Sequence, residues 1–261
     1  MSTAVIIMGA KGRMGSTLAA MAMESEKFTL AGVVERAERA AGLELLGCPV
    51  ANTLAELVPA CPGAVVIDFT APEVSLASAR TVAATGNPLV IGTTGLSAAQ
   101  IAELETLAAK TPIFWSPNMS IGVNALVRIL PALERILGEA YDMEITEIHH
   151  HHKKDAPSGT AVKLAQVLAQ SRGWNLDEVG NYGRQGIVGA RPEKELGVHA
   201  VRGGDVVGDH TVYFFGPGER IEVTHRAHSR ENFARGALRA ATWLASQKPG
   251  RLYTMSQLMG E

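Results

Sequence analysis

The chain has 261 residues, 46% of them hydrophobic, enough for two modest domains or one large one with a substantial apolar core. Its formal net charge of -2 offers no basic field to nucleic acid or to an anionic membrane surface, and neither partner is expected. The only cysteines, Cys48 and Cys61, have no metal or redox spacing, and no apolar run approaches bilayer length, so a cytoplasmic protein is expected.

The first element is the run Ala4-Val-Ile-Ile-Met8, a strand ending at glycine, followed over 14–23 by alanine, leucine and methionine at helical positions. Further buried strands are predicted at 30–34, 64–69, 89–91 and 112–115. Helices are predicted over 73–85, after Pro72, and over 98–110, after the cap Ser97. Apolar strands alternating with helices specify a parallel sheet covered on both faces, a doubly wound, Rossmann-like α/β domain. From about residue 118 the pattern changes. A long helix over 123–137, with Pro131 as a candidate kink, leads to an alternating strand over 142–148 and then to a helix starting at Ser158. Strands at 198–202, 206–215 and 220–224, separated by glycine-rich turns, suggest a second α+β domain on a mixed or antiparallel sheet. An amphipathic helix over 230–246 returns the chain to the first domain, so the expected division is 1–120 with 230–261, and 121–229.

Between the first strand and first helix lies Gly9-Ala10-Lys11-Gly12-Arg13-Met14-Gly15, a G-x-x-G-x-x-G turn where a dinucleotide fingerprint sets a pyrophosphate on a helix N-terminus. Gly9 would make the tight turn, Gly12 admit the phosphates to the backbone, and Gly15 allow close helix packing. Loops collect glycine for conformational reasons, so the turn alone is a weak signal. Glu35, about 20 residues beyond Gly15, strengthens it, because an acid there accepts hydrogen bonds from ribose hydroxyls; the plain alternative is a solvated strand-end residue. Arg36 suits a 2′-phosphate, which leaves NADH and NADPH both open. Asp68-Phe69-Thr70 and Gly92-Thr93-Thr94-Gly95 end two more strands and read either as cofactor-facing loops or as ordinary strand-to-helix turns.

The stretch from Glu147 to Ala161 packs bases, cations and a helix start into one run. Histidines 149–152 fall on a strand end and loop, Lys153 and Lys154 follow, and Pro157-Ser158 caps a helix whose N-terminus suits an anion. This reads as an acid–base and anion site. A tag is excluded by its internal position, and a metal is not expected, because alternate histidines on a strand face opposite ways and about two could reach one ion.

These residues resemble one family over nearly the whole chain, the 4-hydroxy-tetrahydrodipicolinate reductases, also called dihydrodipicolinate reductases, of bacterial diaminopimelate and lysine biosynthesis. The resemblance is carried by the glycine turn, the two strand-end loops, Pro117-Asn-Met-Ser-Ile-Gly-Val-Asn124, the stretch Glu147 to Ala161, Arg202-Gly-Gly-Asp-Val-Val-Gly-Asp-His-Thr211 and Ser229-Arg230. The His-His-x-x-Lys-x-Asp-Ala-Pro-Ser-Gly-Thr element is the specific part. The resemblance implies reduction of a cyclic imine-type dicarboxylate with NADH or NADPH, with His149 as acid–base residue and Lys153 as proton donor or electrostatic partner. It implies that His150 touches the substrate and that Ser158, Gly159 and Thr160 bind its carboxylate. For the cofactor it implies Gly9, Ala10, Lys11, Gly12, Arg13, Met14, Gly15, Glu35, Arg36, Gly92, Thr93, Thr94, Ser116, Pro117, Asn118 and Met119. Family members often carry an aromatic residue at the Met119 position. A homotetramer assembled through the second-domain sheet is implied by the family alone, and His151 and His152 are left as surface or supporting residues. The rival readings are another two-domain dehydrogenase of amino-acid metabolism, of aspartate or homoserine dehydrogenase type, a nucleotide sensor without turnover, and a metal-dependent hydrolase built on the histidines.

Overall fold

The computed structural model describes residues 2–260. It divides into Met1–Ser120 with Arg230–Glu261 (unit 1) and Ile121–Ser229 (unit 2). In chain order, unit 1 opens with β1 (Thr3–Met8), α1 (Arg13–Met23), β2 (Phe28–Val34), β3 (Val50–Ala51), α2 (Leu54–Leu57), β4 (Val65–Asp68), α3 (Pro72–Thr85), β5 (Leu89–Ile91), α4 (Ala98–Leu107) and β6 (Ile113–Trp115). Unit 2 holds α5 (Ile121–Leu137), β7 (Asp142–His149), α6 (Gly159–Ser171), α7 (Leu176–Val179), β8 (Gly180–Asn181), β9 (Leu196–Arg202), β10 (Asp209–Gly216) and β11 (Glu219–Arg226). Unit 1 resumes with α8 (Glu231–Leu244), β12 (Leu252–Tyr253) and α9 (Met255–Leu258).

The sheet of unit 1 runs β3-β2-β1-β4-β5-β6-β12, and every pairing is parallel. Val5, Ile6 and Ile7 of the central strand are fully buried, which is why that strand reads as a continuous apolar run rather than an alternating one. From β1 the chain winds outward to β2 and β3, then crosses to β4 on the other side of β1. The loops after β1 and β4 therefore flank a topological switch point, where open parallel sheets bind ligands. The Ser97 cap forms as expected, as a capping box with Gln100. The two-residue strands β3, β8 and β12 escaped the sequence reading because they are too short to show a period.

Unit 2 has a mixed sheet in the order β11-β10-β7-β9-β8. Strand β10 is antiparallel to both β11 and β7, while β7, β9 and β8 are parallel. Met143 and Ile145 of β7, Leu196 and Val198 of β9, and Val212 and Phe214 of β10 pack with Leu126 and Leu130 of α5 and Leu164 and Leu168 of α6. Strand β10 begins at Asp209 rather than 206, because residues 203–208 form a glycine-containing loop that returns to the histidines.

Candidate active site

Successive residues of a strand face opposite ways, so Met143, Ile145, Glu147 and His149 of β7 share one face, and all four are buried. The first two belong to the core; the next two carry the same face into polar territory. Glu147 is 0% exposed, and every neighbour of its carboxylate donates. Arg202 grips both oxygens at 2.8 and 2.7 Å, the Ser158 amide donates at 2.9 Å, and His149 Nδ1 lies 2.5 Å away. Burial is the strongest single influence on this carboxyl and pushes it up, but Arg202, His149 and the Ser158 N–H together outweigh it and hold it below the usual carboxylate range. An ionised carboxylate only accepts, so His149 presents its Nδ1 proton to Glu147 and keeps Nε2 for another partner. A side chain at Gly208 would place its Cβ 2.9 Å from that Nε2, so the glycine leaves the nitrogen its room.

His210 of β10 stands 5.1 Å from His149, edge to face, and its Nε2 lies 3.0 Å from Ser158 Oγ. Burial, aided by positive charge at His149, pushes it down to about 3 against the pull of Glu147, so this ring is neutral near pH 7. Ser158 accepts from the Ala161 amide as the cap of α6. Gly159 and Thr160 form the first turn of α6, at the positive end of its dipole, and no atom lies within 4 Å of where a Gly159 Cβ would be. Lys153, half-buried, reaches Asp155 Oδ1 at 2.9 Å, and Lys154 is exposed.

Of the four histidines only His149 is in the strand. The His150 amide donates to Val206 O and the His151 amide to Gly204 O, so the chain has already turned, and the argument from strand alternation does not reach His150, His151 or His152. His151 and His152 are exposed, with their Nε2 atoms 2.9 Å apart. Among the described residues no group of three or more His, Cys, Asp or Glu side chains is arranged to hold a metal ion.

In unit 1 the glycine turn has the required backbone. Gly9 has φ +64°, a left-handed conformation, and a Cβ on Gly15 would fall 2.1 Å from Gly9 O. Gly12 is the N-cap of α1 and no side chain caps that helix, which leaves its first-turn amides suited to a phosphate. Ala10 is buried, while Lys11 and Arg13 are exposed and Met14 is half-buried. Glu35 is not a solvated strand-end residue. It is 5% exposed and accepts from the Lys11 and Arg36 amides at 2.9 and 3.0 Å, which anchors the turn to the end of β2. Arg36 extends into solvent, 3.6 Å from Glu38.

The other strand ends divide. Asp68 is fully buried, and its oxygens are taken by Thr70, Ser75 and Ser78, so its side chain does turn chemistry and faces no ligand. Gly92 is packed under the Phe69 ring, Thr93 bonds Ser75, and Thr94 is exposed. Ser116 donates to Asn118 O, Asn118 Oδ1 accepts from the Ser120 amide, and Pro117 is exposed. Met119, expected among the cofactor residues, is 1% exposed, and its carbonyl packs so closely on Gly236 of α8 that a Cβ there would fall 1.8 Å from the oxygen, so its side chain is not open to a ligand.

Sequence reasoning named His149, placed Glu147 in the same run without giving it a role, and gave no site role to Arg202 or His210. Glu147 left a signal, an acid where the alternation of β7 calls for an apolar residue, two places before His149. Arg202 and His210 stand in a run that carries the family resemblance, but their place beside the site comes only from strand register, which brings Arg202 beside His149 and His210 beside Glu147.

A parallel Rossmann-type unit with an uncapped glycine turn, joined to a unit bearing a carboxylate-backed histidine, defines a two-unit oxidoreductase that uses a nicotinamide cofactor. The family models for the N-terminus and the C-terminus of dihydrodipicolinate reductase match residues 3–119 and 122–259. The chain belongs to the dihydrodipicolinate reductase family. It is 61% identical over 259 residues to the 4-hydroxy-tetrahydrodipicolinate reductase of Oleidesulfovibrio alaskensis, covering 99% of this chain and 100% of the relative. To that of Anaeromyxobacter dehalogenans it is 47% identical, with 99% and 98% covered. Among solved structures, a dipicolinate-bound dihydrodipicolinate reductase from Paenisporosarcina sp. TG-14 superposes with a TM-score of 0.78 at 25% identity, covering 97% of this chain and 98% of the other. A probable dehydrogenase from Thermotoga maritima, at 14% identity and a TM-score of 0.65 over 98% and 92% of the two chains, shares the fold.

Proposed function

We propose that this chain reduces 4-hydroxy-tetrahydrodipicolinate to tetrahydrodipicolinate with NADH or NADPH, in the diaminopimelate and lysine pathway, with His149 as the proton donor and Lys153 as its cationic partner. The observation that carries the reading is a histidine fixed at Nδ1, with Nε2 in reserve, next to the capped N-terminus of α6. The net conversion replaces a hydroxyl by hydrogen, consuming one reduced cofactor and one proton and releasing oxidised cofactor and water. When bound, the dihydronicotinamide supplies a hydride. The hydroxyl leaves with a ring hydrogen as water, and once hydride has added to the conjugated ring the displaced electron pair takes the proton from His149 Nε2 while Lys153 offsets the developing negative charge. The two substrate carboxylates need donors; Gly159 and Thr160 at the positive end of α6 serve one, with Ser158, whose own amide is given to Glu147, as the cap of that helix, and His150 adds a contact. In unit 1 the Gly9 to Gly15 turn would receive the pyrophosphate, with the 92–94 and 116–119 loops completing the cofactor site. Glu35 would receive the ribose hydroxyls and Arg36 a 2′-phosphate, so both cofactors are used. Assembly into a cytoplasmic homotetramer through the sheet of unit 2 is part of the same reading.

Replacing His149 tests it. General acid–base catalysis contributes ~10²–10⁴-fold, so His149→Gln lowers kcat by about that factor. NADH affinity, read by fluorescence, stays constant. Lys153→Ala lowers kcat comparably and also raises KM, since a carboxylate partner acts before as well as during the reaction. Dipicolinate, the planar dicarboxylate held by the Paenisporosarcina relative, competes with the substrate. Near-normal kcat in a His149→Gln enzyme shown by circular dichroism to be folded removes the histidine from the mechanism.

A further inference from the structure

Glu147 has no part in the chemistry above, yet among the described carboxylates of unit 2 it is the least exposed. A position following Met143 and Ile145 on the core face of β7 would be served for packing by a third apolar residue. Burying a charge there is costly unless every lone pair is matched, and here each oxygen takes two donors: Oε1 the Ser158 amide and Arg202 Nη2, Oε2 His149 and Arg202 Nη1. The Arg202 fork fixes the plane of the carboxylate. Arg202 is itself held by the carbonyls of Val201 and Asp155, the latter in the loop that carries Lys153.

We propose that Glu147, clamped by Arg202, is a positioning residue: it holds His149 in the orientation and tautomer that make Nε2 the only nitrogen to gain and lose the transferred proton, and through the Ser158 amide it ties that donor to the N-terminus of α6. The inference rests on His149 as proton donor. Because a carboxylate accepts and never donates, the Nδ1 proton stays in place through the reaction cycle. The same side chain sets the spacing between the proton and the amides that receive the substrate carboxylate. Other charged or titratable groups around the ring are Arg202 on β9, His210 on β10 with His225 beyond it on β11, and Lys153 with Asp155 in the following loop. His210 is neutral near pH 7 and does not compete for the carboxylate, being bonded to Ser158.

Glu147→Gln is the test, since it keeps the shape and removes the charge. The one remaining oxygen can serve Ser158 and Arg202, but the amide then points an N–H at His149 Nδ1 and forces the wrong tautomer. The expected result is a fall in kcat of about 10²–10⁴-fold, with NADH affinity unchanged by fluorescence. The alkaline limb of the kcat profile moves to lower pH, whereas a merely structural loss scales kcat equally at every pH. In a His149→Gln background the same change costs less than about twofold, because its effect runs through the histidine. Arg202→Lys, which keeps the charge and loses the fork, gives a smaller fall with a shift of the same sign, and carries the test if Glu147→Gln does not fold. Wild-type kcat and pH profile in Glu147→Gln, or an undiminished loss in the His149→Gln background, overturns the inference while leaving the proton donor in place. Normal activity in His149→Gln itself overturns the proton donor and with it this proposal.

Discussion

Arg36 and Glu35 are neighbours in sequence with opposite fates. Glu35 accepts from the Lys11 amide of the glycine turn with one oxygen and from the Arg36 amide with the other, so changing it would disturb the turn for any dinucleotide. Arg36 is exposed, and its guanidinium lies 3.6 Å from the equally exposed Glu38, so it can turn to a phosphate at little structural cost. A charged hydrogen bond to a 2′-phosphate is made by NADPH and not by NADH. Arg36→Ala is therefore expected to raise KM for NADPH by roughly tenfold to a hundredfold and to leave KM for NADH nearly unchanged. Steady-state kinetics with both cofactors decide it, and an equal loss for both removes Arg36 from the 2′-phosphate site. The proposal for Arg36 could be made from the sequence because it depends only on position after a strand. The anchoring by Glu35 was not, because a carboxylate reaching a backbone 24 residues away leaves no spacing to read.

Helix α6 starts at the proposed carboxylate site, and its other end is pinned to α5. Arg172 donates to Glu134 at 2.7 Å and to the carbonyls of Gly138 and Tyr141, and Ser171 donates to the second Glu134 oxygen at 2.6 Å. Both charged side chains are 5% exposed. Removing one member of such a pair leaves a buried charge uncompensated, so Glu134→Ala is expected to destabilise unit 2 by about 3–5 kcal/mol. The measurement is the urea midpoint followed by circular dichroism, and a change below about 1 kcal/mol would show that Arg172 finds adequate partners in the two carbonyls. The apolar period of both helices was readable from the chain. Their pairing through a buried ion pair was not, since Glu134 and Arg172 read as ordinary solvent-facing charges until the helices are packed.

For the whole molecule, the buried histidines set how stability responds to acid. His210 is lowered from its ordinary 6.5 to about 3, first by burial, and His225 is lowered by burial as well. Between those values the unfolded chain binds protons that the native chain refuses, so stability rises with pH from about 3 to 6.5 and is lost as pH falls through that window. Glu147 is lowered instead, so its contribution is lost as pH falls through the ordinary carboxylate value toward its lower native one, which leaves the histidines dominant above about 5. His210→Gln is expected to flatten the fall in stability between pH 6.5 and 5, read from urea denaturation across that range. An unchanged slope would mean that His210 takes up its proton in the folded state.

By itself the sequence determined the alternation of strands and helices in unit 1, the glycine turn, the capped start of α6 and the run in which His149 is the proposed chemical centre. Each rests on local physics: a hydrophobic period, a left-handed glycine, a side chain capping its own helix. The tertiary structure decided what surrounds that centre. Arg202 lies 53 residues beyond His149 and reaches it through the parallel register of β7 with β9, while His210 arrives through the antiparallel register of β7 with β10. Strand pairing is set by which faces can be buried together, a property of the assembled sheet rather than of any one segment. It is this pairing that turns an acid at a core position into the fixed partner of His149 Nδ1.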